Sequence, residues 1–170
     1  MIGGLFASWV MSEFQAGMAR AASKLKQQRA DGGWSVELAR REAEQSSESS
    51  EPATVKVAVA IAENVFHQEL PDDYKQRAGD LVHYVFGVAT GGLYGLAAEL
   101  SPAVETASGA LFGAALWLVS DETMVPLLGF SKGPREYPVS AHVSALAAHL
   151  VYAIATETTR RFLRQGYLAR

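Results

Sequence analysis

The stretch His83–Gly95, "HYVFGVATGGLYG", carries no formal charge and sets Gly87, Gly91 and Gly95 four residues apart. Glycine is the poorest of the ordinary helix formers, so a glycine series at helical spacing needs a reason beyond propensity. A bilayer supplies one. Helices in lipid gain little from hydrophobic contact with one another and hold together through close backbone packing. Small residues four apart make a groove that admits a neighbouring helix. The stretch therefore reads as part of a membrane-spanning helix with a glycine seam.

Three more segments have the same character. Residues 1–19, "MIGGLFASWVMSEFQAGMA", carry Glu13 as their only charge, and residues 106–120 and 137–156 carry none. Each lies near the short end of the roughly 17–25 apolar residues that a spanning helix needs. A soluble, Ala-rich four-helix protein is the competing architecture, but soluble helices normally show a charged face and these runs do not. The fold class expected is all-α: a polytopic membrane bundle of about four short transmembrane helices plus an amphipathic cytoplasmic helix. Gly109 and Gly113 offer a second seam in the third span, and Ser140, Ser144 and Ala148 a third seam in the fourth. Such seams predict a tightly packed bundle that self-associates or docks a membrane partner. The plainer reading is that glycine is simply frequent in membrane helices.

The chain has 170 residues, a formal net charge of -3 and no cysteine. That charge gives no reason to expect nucleic acid as a partner, and the missing thiols exclude disulfides and cysteine nucleophiles. No positive residue precedes the first apolar stretch and no small-residue cleavage site follows it, so it reads as a retained span rather than a signal peptide. Residues 1–30 form that span with a basic extension, stopped by "DGG" at 31–33. Residues 31–53 read as a polar linker containing "QSSESSEP". Residues 54–78 read as an interfacial helix with Val55, Ala58, Ala62, Val65 and Phe66 on one face; packing of that face on the bundle is an equal alternative. Residues 79–170 form a three-span core with a basic tail. Ser101-Pro102 suits a helix start, and the Pro- and Gly-rich segment 121–138 suits a loop or re-entrant turn.

A weak internal echo links "WVMSE" at 9–13 to "WLVSD" at 117–121, and "LYGLAAE" at 93–99 to "VYAIATE" at 151–157. It pairs spans one and two with spans three and four in the same orientation. Orientation follows from Lys and Arg near the spans. Arg20, Lys24, Lys26, Arg29, Lys75, Arg77, Lys132 and Arg135 place two connections inside; Arg160, Arg161, Arg164 and Arg170 of the tail oppose this. A three-span chain, with 106–120 dipping in and returning, would satisfy the tail better.

His83 lies on the glycine seam, and His142 and His149 are seven residues apart on the last span. Ionisable side chains at membrane depth are costly and face the protein interior. With Glu13, Glu99, Asp121, Glu122 and Glu157 near span ends, they make an expected inward polar cluster. Three readings of the histidines stand: interhelical hydrogen bonding, a proton- or ion-responsive cluster, and a metal or haem site at His83, His142 and His149. The first needs no cofactor and is preferred. No HExxH, EF-hand or Walker sequence appears, and no GxSxG; an enzyme is not expected.

The combination "HYVFG…GGLYG", "DETMVPLLG" and "HLVY…TE" resembles the YagU-like family of bacterial inner-membrane proteins, a domain of unknown function. The resemblance falls on His83, Tyr84, Phe86, Gly87, Tyr94 and Gly95, then on Asp121, Glu122, Val125, Pro126 and Gly129, and last on His149, Leu150 and Tyr152. It covers about residues 79–160 well, covers the first span loosely, and leaves 20–75 unmatched. It implies a multi-pass protein of the bacterial inner membrane and names no reaction. The function expected is an ion, proton or small-solute path formed or modulated by the bundle. The alternative is a non-catalytic membrane scaffold or accessory subunit that docks a partner through residues 20–78.

Overall fold

A computed structural model describes residues 2–31 and 51–168. Every regular element among them is helical: α1 (Ile2–Asp31), α2 (Ala53–Asn64), α3 (Asp72–Leu100), a 3-10 stretch (Pro102–Gly109), α4 (Ala110–Val119), a π turn (Ser120–Met124), α5 (Val125–Leu127), a 3-10 turn (Pro134–Glu136) and α6 (Val139–Leu168). Most of the expected linker, residues 32–50, lies outside the described residues.

Alternating direction organises the bundle. Gly4 meets Gly87 and Gly91, Ser8 meets Gly87, and Ser12 approaches His83, so α1 runs antiparallel to α3. Gly3 abuts Thr156 and Thr159, while Ala7, Met11, Ala148 and Tyr152 share a buried cluster, so α1 also runs antiparallel to α6. Gly113 rests on His149 and Ala153, which sets α4 antiparallel to α6. α2 packs on the start of α3, where Val55 fills the space beside Gly79. The two halves of the sequence echo, α1 with α3 and α4 with α6, accordingly run in the same sense.

The buried faces are small or polar and the exposed faces are large and apolar. Gly4, Ala7, Ser8 and Met11 face inward on α1 while Leu5, Phe6 and Trp9 face outward. Thr90, His149, Thr156 and Glu157 are buried, whereas Leu100 is 77% and Leu127 is 80% exposed. In water so much contiguous apolar surface would drive association. In lipid the same distribution costs nothing, because the surroundings are as apolar as leucine. Three segments, Asp72–Leu100, Ala107–Leu127 and Val139–Gly166, are long and apolar enough to cross a membrane. α1 is comparably long, but its Ser8, Ser12, Glu13, Gln15 and basic extension lower its hydropathy.

Several boundaries differ from those expected. α3 begins directly after Pro71, with Asp72 and Asp73 in its first turn complementing the helix dipole, rather than near Gly79. α2 stops at Asn64 and His67 turns the chain at φ 53°, which leaves Val65 and Phe66 beyond the helix and exposed. The third span starts as a 3-10 stretch. Ala107, Ser108 and Gly109 have positive φ there, and a Cβ on Gly109 would lie 3.1 Å from the Tyr94 hydroxyl. Segment 121–138 is not all loop: helical winding continues to Leu127. Pro126 cannot donate to a carbonyl one turn back, and the widened π turn just before it accommodates the fault.

The glycines divide by what faces them. A Cβ on Gly91 would lie 2.6 Å from Gly4 Cα, and one on Gly113 would lie 2.7 Å from the His149 carbonyl. Gly95, expected on the seam, has open space beside it, because it is turned away from α1. Gly91→Leu or Gly113→Leu is therefore expected to destabilise the detergent-solubilised protein by about 1–3 kcal/mol or more through overpacking. Gly95→Leu should stay within about 0.5 kcal/mol of the parent. Thermal melts of the three variants check the order.

Candidate functional site

Below the α1–α3 crossing the bundle opens into a vestibule of about 800 Å³. α1, α3, the π turn and α6 all contribute to its wall, and residues from α2 and the 128–137 segment form its rim. The vestibule ends at mid-bundle on Ser8, Thr90 and Tyr152. There the Tyr152 hydroxyl donates to the Gly87 carbonyl (2.5 Å) with the Thr90 hydroxyl 3.0 Å away. Ser8 returns its own hydroxyl hydrogen to the Gly4 carbonyl (2.9 Å). These bonds satisfy the polar groups that close helix packing buries, as a low-dielectric interior demands.

All three sequence-predicted histidines line this vestibule, together with Asp121 and Glu122. His83 makes only long approaches, its Nε2 lying 3.4 Å from the Ser12 hydroxyl and 3.5 Å from the Ser8 carbonyl. His142 is tightly held. Its Nδ1 donates to Glu122 Oε1 (2.6 Å) and its Nε2 faces the Pro134 carbonyl (2.9 Å). Two oxygen acceptors on one ring are both satisfied only by the doubly protonated form. His142 thereby ties the π turn to the 3-10 turn at the rim. His149 is 6% exposed; its Nδ1 donates to the Ala145 carbonyl one turn back (2.9 Å) and stands 3.7 Å from Asp121 Oδ2.

The π turn is what aims consecutive carboxylates into one space. In a regular helix Asp121 and Glu122 would diverge by about 100°. Widening at Ser120–Met124 lets Glu122 reach His142 while Asp121 faces His149. π turns recur at functional sites for this reason. The Ser120 hydroxyl lies 2.7 Å from the Leu116 carbonyl and 3.0 Å from Asp121 Oδ1, and its one hydrogen serves one of them at a time.

The remaining predicted residues go elsewhere. Glu13 points outward from α1, because the inward face there is Ser8, Met11 and Ser12. Ser144 is exposed and bonded to its own helix, through the Ser140 carbonyl; the inward face of α6 is Ala148, His149 and Tyr152. Gly109 terminates the 3-10 stretch instead of continuing a helical seam. Glu99 and Glu157 stand at the opposite end of the bundle. There Glu157, 1% exposed, accepts from Tyr94 (3.0 Å), from Arg160 Nε (2.7 Å) and from Arg161. Arg160 also reaches Glu105 (2.6 Å) and Glu99 (3.1 Å). Headgroup solvation at a span end does not describe a carboxylate so enclosed. Arg160, Arg161 and Arg164, which oppose the inside-positive pattern, are thus bound into an ion-pair network closing that end, and Arg170 lies outside the described residues. Among the described residues no three His, Asp or Glu side chains converge to hold a metal ion.

Sequence reasoning placed Tyr94 and Tyr152 only in the family resemblance and the internal echo, Ser12 only in the echo and Arg160 only in the basic tail, and it passed over Thr90. The Glu157-x-x-Arg160-Arg161 spacing is itself a helical ion-pair signal. Ser12 and Ser120, matched positions of the internal echo, both line the vestibule. Nothing local marks Thr90, and the echo that matches Tyr94 to Tyr152 says nothing of their partners, which lie more than 60 residues away.

The fold and site define a helical protein with membrane-compatible spans, a polar interior and a vestibule closed at one end. The chain belongs to the family described as protein of unknown function (DUF1440), whose model matches residues 31–158. No curated protein and no solved structure matches it.

Removing one partner from a buried ion pair costs about 3–5 kcal/mol, because it strands a charge. Arg160→Ala is expected to lower the melting temperature far more than Arg164→Ala, whose side chain is 55% exposed and 3.7 Å from Glu99. Tyr94→Phe should fall between them, near the roughly 1 kcal/mol of a single hydrogen bond. Melts of the solubilised variants read all three.

Proposed function

We propose that this chain is a multi-pass protein of the bacterial inner membrane, akin to YagU-like proteins, whose bundle forms or modulates a path for an ion, proton or small solute. The observation that carries the reading is the vestibule with His83, His142, His149, Asp121 and Glu122 on its wall. Polar groups at several depths on facing helices are what a path requires. Ionisable residues at membrane depth are costly enough to mark such pathways, and a purely structural bundle has no use for a cavity of this size with ionisable groups on its wall.

α1 is the fourth crossing in this reading. It lies against both α3 and α6 with its direction opposed to theirs, so it shares their depth. A helix of its length spans roughly 45 Å, more than the roughly 30 Å hydrocarbon layer. The vestibule end carries Arg20, Lys24, Lys75, Arg77, Lys132 and Arg135 and faces the cytoplasm. The closed end, with Glu157 and its arginines, faces outward. The path is therefore open inward and shut outward. The apolar exterior that does not meet lipid is available to a second copy of the chain.

A scaffold role is favoured by a different feature. Ile61, Val65 and Phe66, at and just beyond the end of α2, are exposed apolar side chains, where a partner protein can dock.

The parent chain contains no cysteine, which makes accessibility direct to measure. A Ser12→Cys variant in inverted vesicles should react with a charged, membrane-impermeant thiol reagent, and a Leu93→Cys variant on the outer face should not. His83→Ala and His149→Ala should each alter proton or ion flux in vesicles by several-fold. Unlabelled Ser12→Cys with unchanged flux in both histidine variants would remove the path, and loss of a co-purifying partner on changing Phe66→Ser would then favour the scaffold.

A further inference from the structure

We infer that the vestibule binds an organic cation, a protonated amine carried on an apolar body, with Asp121 as its counter-charge. The inference rests on the path reading above and adds the chemical class of the solute.

The charges on the wall are unequally matched. Glu122 has its cation in the His142 ring, 2.6 Å away. Among the described residues Asp121 has none of comparable quality. Its nearest cationic candidate is His149 Nδ1 at 3.7 Å, and that nitrogen already donates to the Ala145 carbonyl at 2.9 Å. The Ser120 hydroxyl is shared with the Leu116 carbonyl. Lys132 and Asp80 at the exposed rim offset one another in sign. One carboxylate is left over, its side chain 38% exposed and on the cavity wall beside apolar surface. A carboxylate so placed favours a counter-cation.

His149 gives a second, independent indication. With Nδ1–H donated to Ala145, Nε2 is the free ring position, an acceptor in the neutral imidazole. No described residue partners it, although the side chain is more than nine-tenths buried, and His149 lines the vestibule. Asp121 and neutral His149 therefore present acceptors. A ligand that satisfies both must donate, and one that also balances the charge must be cationic. A protonated amine does both; a carboxylate or phosphate does neither.

The rest of the wall selects the body. Met11, Phe86, Leu116, Val119, Met124 and Phe130 contribute apolar surface around the two acceptors. About 800 Å³ falls in the range of pockets that enclose drug-sized molecules, roughly 300–1,000 Å³. A bare inorganic cation would leave most of this space unfilled. Aromatic faces also favour an alkylammonium neighbour.

The test uses the full chain in nanodiscs of zwitterionic lipid, with empty nanodiscs as the blank. Equilibrium dialysis compares 4-phenylbutylammonium, 4-phenylbutanol and 4-phenylbutyrate, which share a body and differ in head-group charge. The ammonium should bind at least tenfold more tightly than the alcohol, and the carboxylate should not bind above the blank. Asp121→Asn should abolish the preference for the ammonium over the alcohol, and Asp121→Glu should restore it to within about threefold. Equal binding of ammonium and alcohol, or an undiminished preference in a folded Asp121→Asn variant, overturns the inference. So does tighter binding of the carboxylate. Labelling of Ser12→Cys separates the two levels: a labelled vestibule that ignores the ammonium sinks the cation and leaves the path, whereas an unlabelled one sinks the path itself.

Discussion

α1 approaches α3 so closely that no side chain fits between Gly4 and the Gly87–Gly91 turn. That contact fixes the height and rotation of α1 in the bundle. With α1 placed, Ser8 comes down on Gly87 and Ser12 is carried to His83. Tyr152, crossing from α6 to the Gly87 carbonyl, ties the third helix to the same point. Above it the Glu157 network closes the bundle; below it the helices enclose the vestibule. One backbone contact thus divides the molecule into a sealed end and an open end. Packing of this kind is the main cohesive force between helices when the solvent is lipid.

The interior polarity follows from the same setting. Ser8, Thr90, Thr156 and Glu157 are buried among glycine and alanine while leucine and valine cover the outside. Each buried hydroxyl returns its hydrogen to a nearby carbonyl or joins a cross-helix pair, as Thr90 does with Tyr152. Against that background Asp121 and Nε2 of His149 are conspicuous, because they are polar, inward-facing and incompletely matched. Most structural polar groups are satisfied locally, Trp117 Nε1 being a buried donor without a partner among the described residues. Asp121 and His149 are unmatched where there is space for something else.

How much of this was legible in the sequence depends on range. Uncharged runs and glycine spacing gave the helices of the core and singled out Gly87, Gly91 and Gly113, since those signals are local and periodic. Meeting of His83, His142 and His149 in one cavity was anticipated only as facing inward; the cavity itself depends on how α2 and the rim pack. The break at Ala107–Gly109 and the π turn at Ser120–Met124 were not legible, because neither Ala-Ser-Gly nor Ser-Asp-Glu-Thr-Met carries a spacing that separates 3-10 or π winding from α. Pro126 did signal irregularity, but read as a loop it concealed a helix that bends round it. Gly95 and Ser144 show the converse error: correct spacing on a face that the neighbouring helix does not use. Tyr94 and Glu157 share no local pattern, and only the fold brings them together.

The whole account requires that the apolar exterior of α3, α4 and α6 lie in lipid. Alkaline carbonate washing of membranes from cells expressing the chain measures this most directly, because it strips peripheral proteins and leaves embedded ones. The chain should stay in the pellet and enter solution only with detergent. Release into the wash as a monodisperse, water-soluble monomer would contradict it.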